Sequence, residues 1–362
     1  MRTHNRHTMM RSDVLTKATV RTLGILLLAA ALLLPAPADA QLFRSTAKVG
    51  TTSAQFLKIG VGARALGMGG TQTAVTGDIS SIYWNPAAIS RINVTSELTF
   101  NHAEWLADIN YDFLAGILQI ADVGMFGFSV VSLQTPEEPV RTVTYPEGDG
   151  RRWSASSLAI GISYARNLTD RFSVGFSAKY IQETIWSESA SGVAFDVGTL
   201  YLFPIEGLSL GASISNFGTS MRLDGRDLYF NDDPNGDAGS GPNNIPSQYR
   251  SDAYSLPLTF RIGIAWDFKP NEDFRITPAV DATHPNDNTE YVNLGLEATW
   301  SEIVFARVGY KSLWLRDSEQ GLTWGVGIHY GIVNVGTIKL DYGFADYGRL
   351  ENVQYLSVGM SF

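Results

Sequence analysis

Leu256-Pro-Leu-Thr-Phe-Arg-Ile-Gly-Ile-Ala-Trp-Asp-Phe268 is the stretch that decides the fold. Leu256, Leu258, Phe260, Ile262, Ile264, Trp266 and Phe268 occupy every second position. Pro257, Thr259, Arg261, Gly263, Ala265 and Asp267 lie between them. A period of two is the period of a β-strand with one apolar face. The same pattern returns at 321–330, where Leu322, Trp324, Val326, Ile328 and Tyr330 alternate with small or polar residues, and at 336–344 with Ile338, Leu340, Tyr342 and Phe344.

Extending outward, the alternation predicts fourteen strands: 93–103, 108–120, 122–133, 153–166, 170–184, 192–203, 207–217, 255–268, 273–283, 288–300, 302–314, 320–331, 335–346 and 351–362. They are longer than the ~5–6 residues usual in globular sheets. They suit the ~9–11 tilted residues, plus rims, that cross a bilayer. Short connections are expected after the even strands, around Asp122, 167–169, 204–206, 269–272, Ser301 and 332–334. Longer or more polar ones follow the odd strands, notably 134–152 and 218–254. Short turns at one end and long loops at the other mark an outer-membrane barrel. The expected fold class is therefore all-β, a transmembrane antiparallel barrel of about fourteen strands spanning 93–362.

Composition agrees with this reading. Among 362 residues there are 35 Gly, 8 Trp, 15 Tyr and 18 Phe, and only 17% are charged. Such a chain is too apolar to be disordered and has the aromatic supply that interfacial girdles need. The absence of Cys excludes disulfides and cysteine zinc sites. A net charge of −9 without a basic tract excludes nucleic acid as a partner.

Residues 1–40 read as a secretory signal peptide. Arg2, Arg6, Arg11, Lys17 and Arg21 precede the uncharged run 23–34, then Pro35 and Ala38-Asp39-Ala40. Cleavage is expected after Ala40. Its removal takes five basic and two acidic residues from totals of 27 and 36, leaving a net −12. The apolar run is too short for a membrane helix.

A charge facing lipid at midplane costs ~2–4 kcal/mol. Glu97, Lys179, Glu183, Asp196, Arg261, Arg275, Asp281, Glu297, Arg307, Lys311, Lys339 and Asp341 fall on the face opposite the apolar one. They predict a lumen of mixed charge, whose members must pair or be hydrated. The plain reading is a salt-bridge network without a transport role. At the other end of the alternation, Leu356, Val358, Met360 and Phe362 share a face of the last strand. That ending resembles the assembly signal of bacterial outer-membrane barrels, with Phe362 as its aromatic.

Residues 41–92 do not alternate. They contain Gly62-Ala-Arg-Ala-Leu-Gly-Met-Gly-Gly-Thr-Gln-Thr-Ala-Val-Thr-Gly-Asp78 and Ile79-Ser-Ser-Ile-Tyr-Trp-Asn-Pro-Ala-Ala88. No Walker motif is present, and Gly60-Val-Gly62 lacks the third glycine of a dinucleotide site. Asn85-Pro86 is a turn former.

This run closely resembles the start of PorV/PorQ proteins, members of the wider FadL-like outer-membrane barrels. The close resemblance covers roughly residues 53–90. It implies that 41–92 forms a hatch partly inside the barrel, with Gly62, Arg64, Gly67, Gly69, Gly70, Asn85, Pro86 and Ala87 as its motif residues. It implies a part in type IX secretion, receiving cargo that carries a C-terminal signal domain, with outer-membrane lipid, translocon components and cargo as partners. A FadL-type channel for fatty acids or other hydrophobic compounds is the alternative. No enzyme activity, cofactor or metal is expected. The loop Asn231-Asp-Asp-Pro-Asn-Gly-Asp237 departs from the calcium-loop pattern. His102, His284 and His329 have no ligand spacing, and no nucleophile elbow G-x-S-x-G accompanies them.

Overall fold

The computed structural model describes residues 48–233, 244–316 and 318–362. The expected signal segment, the Ala40 cleavage site, residues 41–47 and part of the Asn231–Asp237 loop lie outside the described residues.

Fourteen long strands follow one another: β1 (Ser96–Trp105), β2 (Ile109–Ile120), β3 (Gly124–Gln134), β4 (Ala155–Asn167), β5 (Phe172–Ile185), β6 (Glu188–Leu202), β7 (Leu208–Gly218), β8 (Thr259–Trp266), β9 (Phe274–Pro285), β10 (Tyr291–Trp300), β11 (Val304–Leu313), β12 (Leu322–Ile332), β13 (Gly336–Asp346) and β14 (Asn352–Ser361). Each pairs antiparallel with its sequence neighbour. β14 returns to β1 in the register Glu97↔Ser361 to Glu104↔Gln354. The ring is closed, so every strand has two partners and no edge is left to bond in lipid. Just beyond the last strand, the Phe362 amide donates to the Ser96 carbonyl at 2.8 Å and its carbonyl accepts from Thr95 at 2.8 Å.

Alternation sorts the side chains as the period of two requires. On β12, Leu322, Trp324, Val326, Ile328 and Tyr330 are exposed outward while Thr323, Gly325 and Gly327 are buried inward. On β8 the outward face begins only at Phe260. Leu256, expected on the lipid face, is 2% exposed and packs inside. The stretch 255–258 is not strand, since Pro257 has no amide to give a ladder.

The expected sorting of connections is carried by two loops, 135–154 and 219–258. Two other connections at the same end are tight: Leu106–Asp108 between β1 and β2, and Trp186–Ser187 between β5 and β6. The long loops carry small ladders of their own. Glu138–Pro139 pairs with Arg152–Trp153, and Tyr229–Asp232 with Ile245–Gln248.

Residues 48–92 fill the space the wall encloses. The Lys48 amide donates to Asp287 and Thr52 bridges Ser255, both in connections at the long-loop end. From there the chain descends through α1 (Ala63–Gly67) and α2 (Ser81–Trp84) to a 3-10 turn at Pro86–Arg91. Arg91 then grips the β4–β5 turn at the opposite end, donating to Ser173 Oγ (2.7 Å) and the Asp170 carbonyl (2.9 Å). The inner segment thus runs the length of the barrel before β1 begins. Phe56, Leu57, Leu66, Ile82, Trp84 and Ile89 form one apolar core with inward wall residues such as Tyr111, Phe113 and Ile117.

Candidate functional site

Arg64 sits on α1, whose start is set by Gly62 at φ +87°. A Cβ on Gly62 would meet the Ser80 side chain at 2.7 Å, so only glycine lets the turn begin there. The helix presses Arg64 toward the β10–β13 wall. Its guanidinium forks onto Glu297, with Nε–Oε2 and Nη2–Oε1 both 2.8 Å, and donates to the Thr76 carbonyl at 3.0 Å. Glu297 is fully buried. It also accepts from Arg307 Nε at 2.7 Å and lies 3.6 Å from Arg275. Arg307, directly across the ladder from Glu297, continues to Asp341 at 2.5 Å, which also faces His329 at 3.1 Å. The guanidinium reaches Asp341 over β12 because the inward residue there is Gly327; a Cβ would stand 2.9 Å from Nη1. In a buried cluster of this kind desolvation offsets much of the attraction, yet removing one member strands the charge of another.

The neighbouring glycines set how closely α1 and the following turn approach the wall. Gly67 lies against Gly325. Gly69, at φ +69°, would bring a Cβ within 2.6 Å of the Leu294 carbonyl oxygen. Its amide donates to Thr323 Oγ1 at 2.9 Å, and the Ala63 amide to Ser357 Oγ at 2.9 Å. Gly70, at φ +80°, backs onto Trp84.

Asn85 is fully buried and ties three pieces together. Its Nδ2 donates to the carbonyls of Thr73 (2.7 Å) and Thr199 on β6 (3.0 Å), and its Oδ1 accepts from the Ala87 amide (3.1 Å). Pro86 opens the 3-10 turn, where its missing amide costs nothing.

The remaining wall charges are separate from this cluster. Lys179 pairs with Asp196 at 2.8 Å, Lys339 with Glu97 at 2.7 Å, and Glu183 accepts from the Ala54 amide at 3.0 Å. Arg261 and Lys311 are buried inward and form no ion pair among the described residues. They border a chamber of about 370 Å³ at the long-loop end, together with Lys58, Trp105, Tyr291 and Tyr347. Recesses beside α1 and beneath Tyr83 are far smaller, about 20 Å³ each. His102 points outward to Asp112 at 2.7 Å, and His284 reaches Glu290 at 2.7 Å.

Residues 43–286 match the sequence model of the type IX secretion system protein PorV. The chain belongs to the PorV family. No curated protein matches it. Among solved structures, this PorV-family barrel is similar to the Pseudomonas putida toluene transporter TodX, at 12% identity and TM-score 0.54 over 84% of this chain and 99% of that one. The Ralstonia pickettii toluene transporter TbuX matches at 12% identity and TM-score 0.51, covering 84% and 98%. A Pseudomonas aeruginosa FadL homologue matches at 12% identity and TM-score 0.51, covering 83% and 98%. At such identities the likeness concerns the fold alone, a closed antiparallel barrel of fourteen strands.

Sequence reasoning missed the wall's contribution to holding the inner segment of this PorV-family chain. Gly175, Gly198, Gly211, Gly295, Gly309 and Gly343 face inward where backbone of residues 63–87 lies against them. Their signal was present as glycine at inward parity in successive strands. Asp287, which gathers Lys58 (2.8 Å), Gln55 (2.9 Å) and Thr52 (2.9 Å), was also overlooked because it sits in a connection. Burial raises its carboxyl, but these three hydrogen bonds outweigh that and hold it below the ordinary Asp value.

Proposed function

We propose that this protein receives secreted cargo at the outer membrane in type IX secretion, after export and signal cleavage following Ala40. Residues 41–92 act as a hatch that keeps the barrel closed. The observation that carries this reading is the occupied interior, taken with membership of the PorV family. A lumen crossed by its own chain from Lys48 to Arg91, and latched at Arg64–Glu297, is no conduit for a folded protein. The surfaces left for cargo and translocon components are the loops 135–154 and 219–258. They bear Arg141, Arg151, Arg152 and Asp232, together with exposed aromatics Tyr145, Tyr229 and Tyr249. Aromatic residues among polar ones are the composition of protein interfaces. A channel for hydrophobic compounds, the role named for the toluene transporters, is the second reading. It rests on the shared fold, and the polar, cationic lining of the outer chamber speaks against an apolar permeant. A deletion strain tests both together. Retention of cargo in the periplasm with unchanged uptake of toluene and long-chain fatty acids is expected. Normal secretion with impaired uptake would replace the first reading by the second.

A further inference from the structure

A hairpin turn whose residue has a positive φ favours Gly, Asn or Asp, because a larger side chain crowds the following carbonyl oxygen. The short-turn end keeps to small polar residues of this kind, with Asp122 (φ +60°), Ser301 (φ +52°) and Asn334 (φ +62°) in its turns. The β5–β6 turn at the long-loop end does not. Ile185 pairs with Glu188 there, and the first of the two residues between them is Trp186, at φ +53° and 43% exposed. A bulky residue held in that region persists only where its surroundings over-determine it.

Those surroundings are the two long loops. From loop 135–154, the Ser154 carbonyl accepts from the Trp186 amide at 3.0 Å, and the Arg151 guanidinium lies over the indole, 5.6 Å from the ring centre. Arg151 is itself set by Asp149, which accepts its Nε at 2.9 Å. From loop 219–258, Arg226 donates to Ser187 Oγ at 2.9 Å and the Asp227 amide to Glu188 Oε1 at 3.1 Å. Asp224 and Gly225 of the same loop pair with Ser189 and Glu188. The turn thus stands between the loops and bonds both. The indole faces a guanidinium of the loop, so it is not spent as an interfacial lipid anchor. The loops so held expose Tyr145 and Trp153 on one side, and Tyr229 and Tyr249 on the other, with Tyr249 stacked on Phe230 at 4.5 Å.

We infer that Trp186 is a positioning residue, which fixes loops 135–154 and 219–258 as one preorganised surface where the C-terminal signal domain of cargo seats across the aromatics of both. The inference rests on the secretion reading. Loops ordered before contact spare the complex the entropy of ordering them, which is what strain at the turn sustains.

The test takes a full-length protein that the deletion strain retains in its periplasm, labels it with a fluorophore and titrates it against the purified barrel in neutral detergent. Absence of any retained protein refutes the secretion reading and this inference with it; retention followed by any contrary result below refutes the inference alone. Trp186→Gly removes the indole and relieves the left-handed backbone at once. Its heat-modifiable gel transition should stay or rise, while binding weakens about tenfold or more. Trp186→Phe keeps a ring for Arg151 and should bind within about threefold of the parent. Because the chain has no Cys, spin labels on Tyr145→Cys and Tyr249→Cys report the two loops alone. Their distance distribution should be narrow in the parent, broad in Trp186→Gly and narrow again in Trp186→Phe. Trp186→Gly barrels that bind like the parent or keep the narrow distribution would overturn the inference, as would Trp186→Phe barrels that bind as weakly as the Gly variant. A fall in the gel transition that parallels the loss of binding would overturn it too, since a merely structural turn behaves that way.

Discussion

Arg64→Met isolates the latch between the inner segment and the wall. The substitution keeps the side-chain stem and removes the guanidinium. Three hydrogen bonds are lost: two to Glu297 at 2.8 Å and one to the Thr76 carbonyl at 3.0 Å. Removing one partner of a buried pair usually costs ~3–5 kcal/mol. Glu297 keeps Arg307 at 2.7 Å and Arg275 at 3.6 Å, so its charge is not abandoned. The low end, about 3 kcal/mol, is therefore expected, equivalent to roughly a 150-fold rise in local opening. The readout is amide exchange at Gly69 and Gly70, whose amides bond the carbonyls of Leu66 (3.1 Å) and Ala65 (2.8 Å) at the end of α1. Glu297→Gln should act more strongly, because it weakens two cations at once, leaving Arg64 with Asp78 at 4.0 Å and Arg307 with Asp341 alone. The double variant should cost less than the sum of the two, by about 1 kcal/mol or more, since both changes disrupt one contact. Exchange at Gly69 and Gly70 within threefold of the parent, or strict additivity, would refute a latch at this pair.

Four further outcomes are expected. Val326→Arg, on the lipid-facing side of β12, should destabilise the inserted barrel by ~2–4 kcal/mol in denaturant titration into bilayers, and a neutral result would contradict the assigned face. The contact of residues 52–58 with Asp287 has a defined pH sense. Its carboxyl is held below the ordinary value, so the stabilisation is complete above about pH 4 and is lost as pH falls further; exchange in 52–58 that quickens between pH 8 and 5 would count against it. A membrane-impermeant amine reagent on intact cells should modify Lys48 at the long-loop end and spare Lys269 in the β8–β9 turn, and the reverse labelling would invert the orientation. Replacing Phe362 with Asp should lower the amount of assembled barrel more than the stability of molecules that do assemble, because Phe362 faces outward yet bonds β1 by its backbone; undiminished assembly would remove its role as a signal.

Strand number and strand order were legible in the sequence, as was the outward face of strands such as β12. A period of two is a local property of the backbone, and lipid enforces it by penalising every charge on one face. The same parity sets Glu297, Arg307 and Asp341 inward, but it says nothing of which charge meets which. Their pairing depends on register between strands, and on Gly327 leaving a path across β12. Strand ends were less legible. Leu256 continues the alternation of β8 perfectly, yet it packs inside because Pro257 cannot extend the ladder and core volume is available to it.

The barrel is written into the chain's own alternation. The alternation, the aromatic supply and the sorted charges are each readable one strand at a time. The use made of the irregular residues 48–92 depends instead on the folded wall around them. Their course down the lumen and the fork of Arg64 onto Glu297 arise from contacts between residues some two hundred positions apart, as does the Thr73 amide's bond to Asp281. Such contacts have no period. They follow from the cavity that the closed wall creates and from the inward glycines that leave room within it, and both exist only once all fourteen strands are in place.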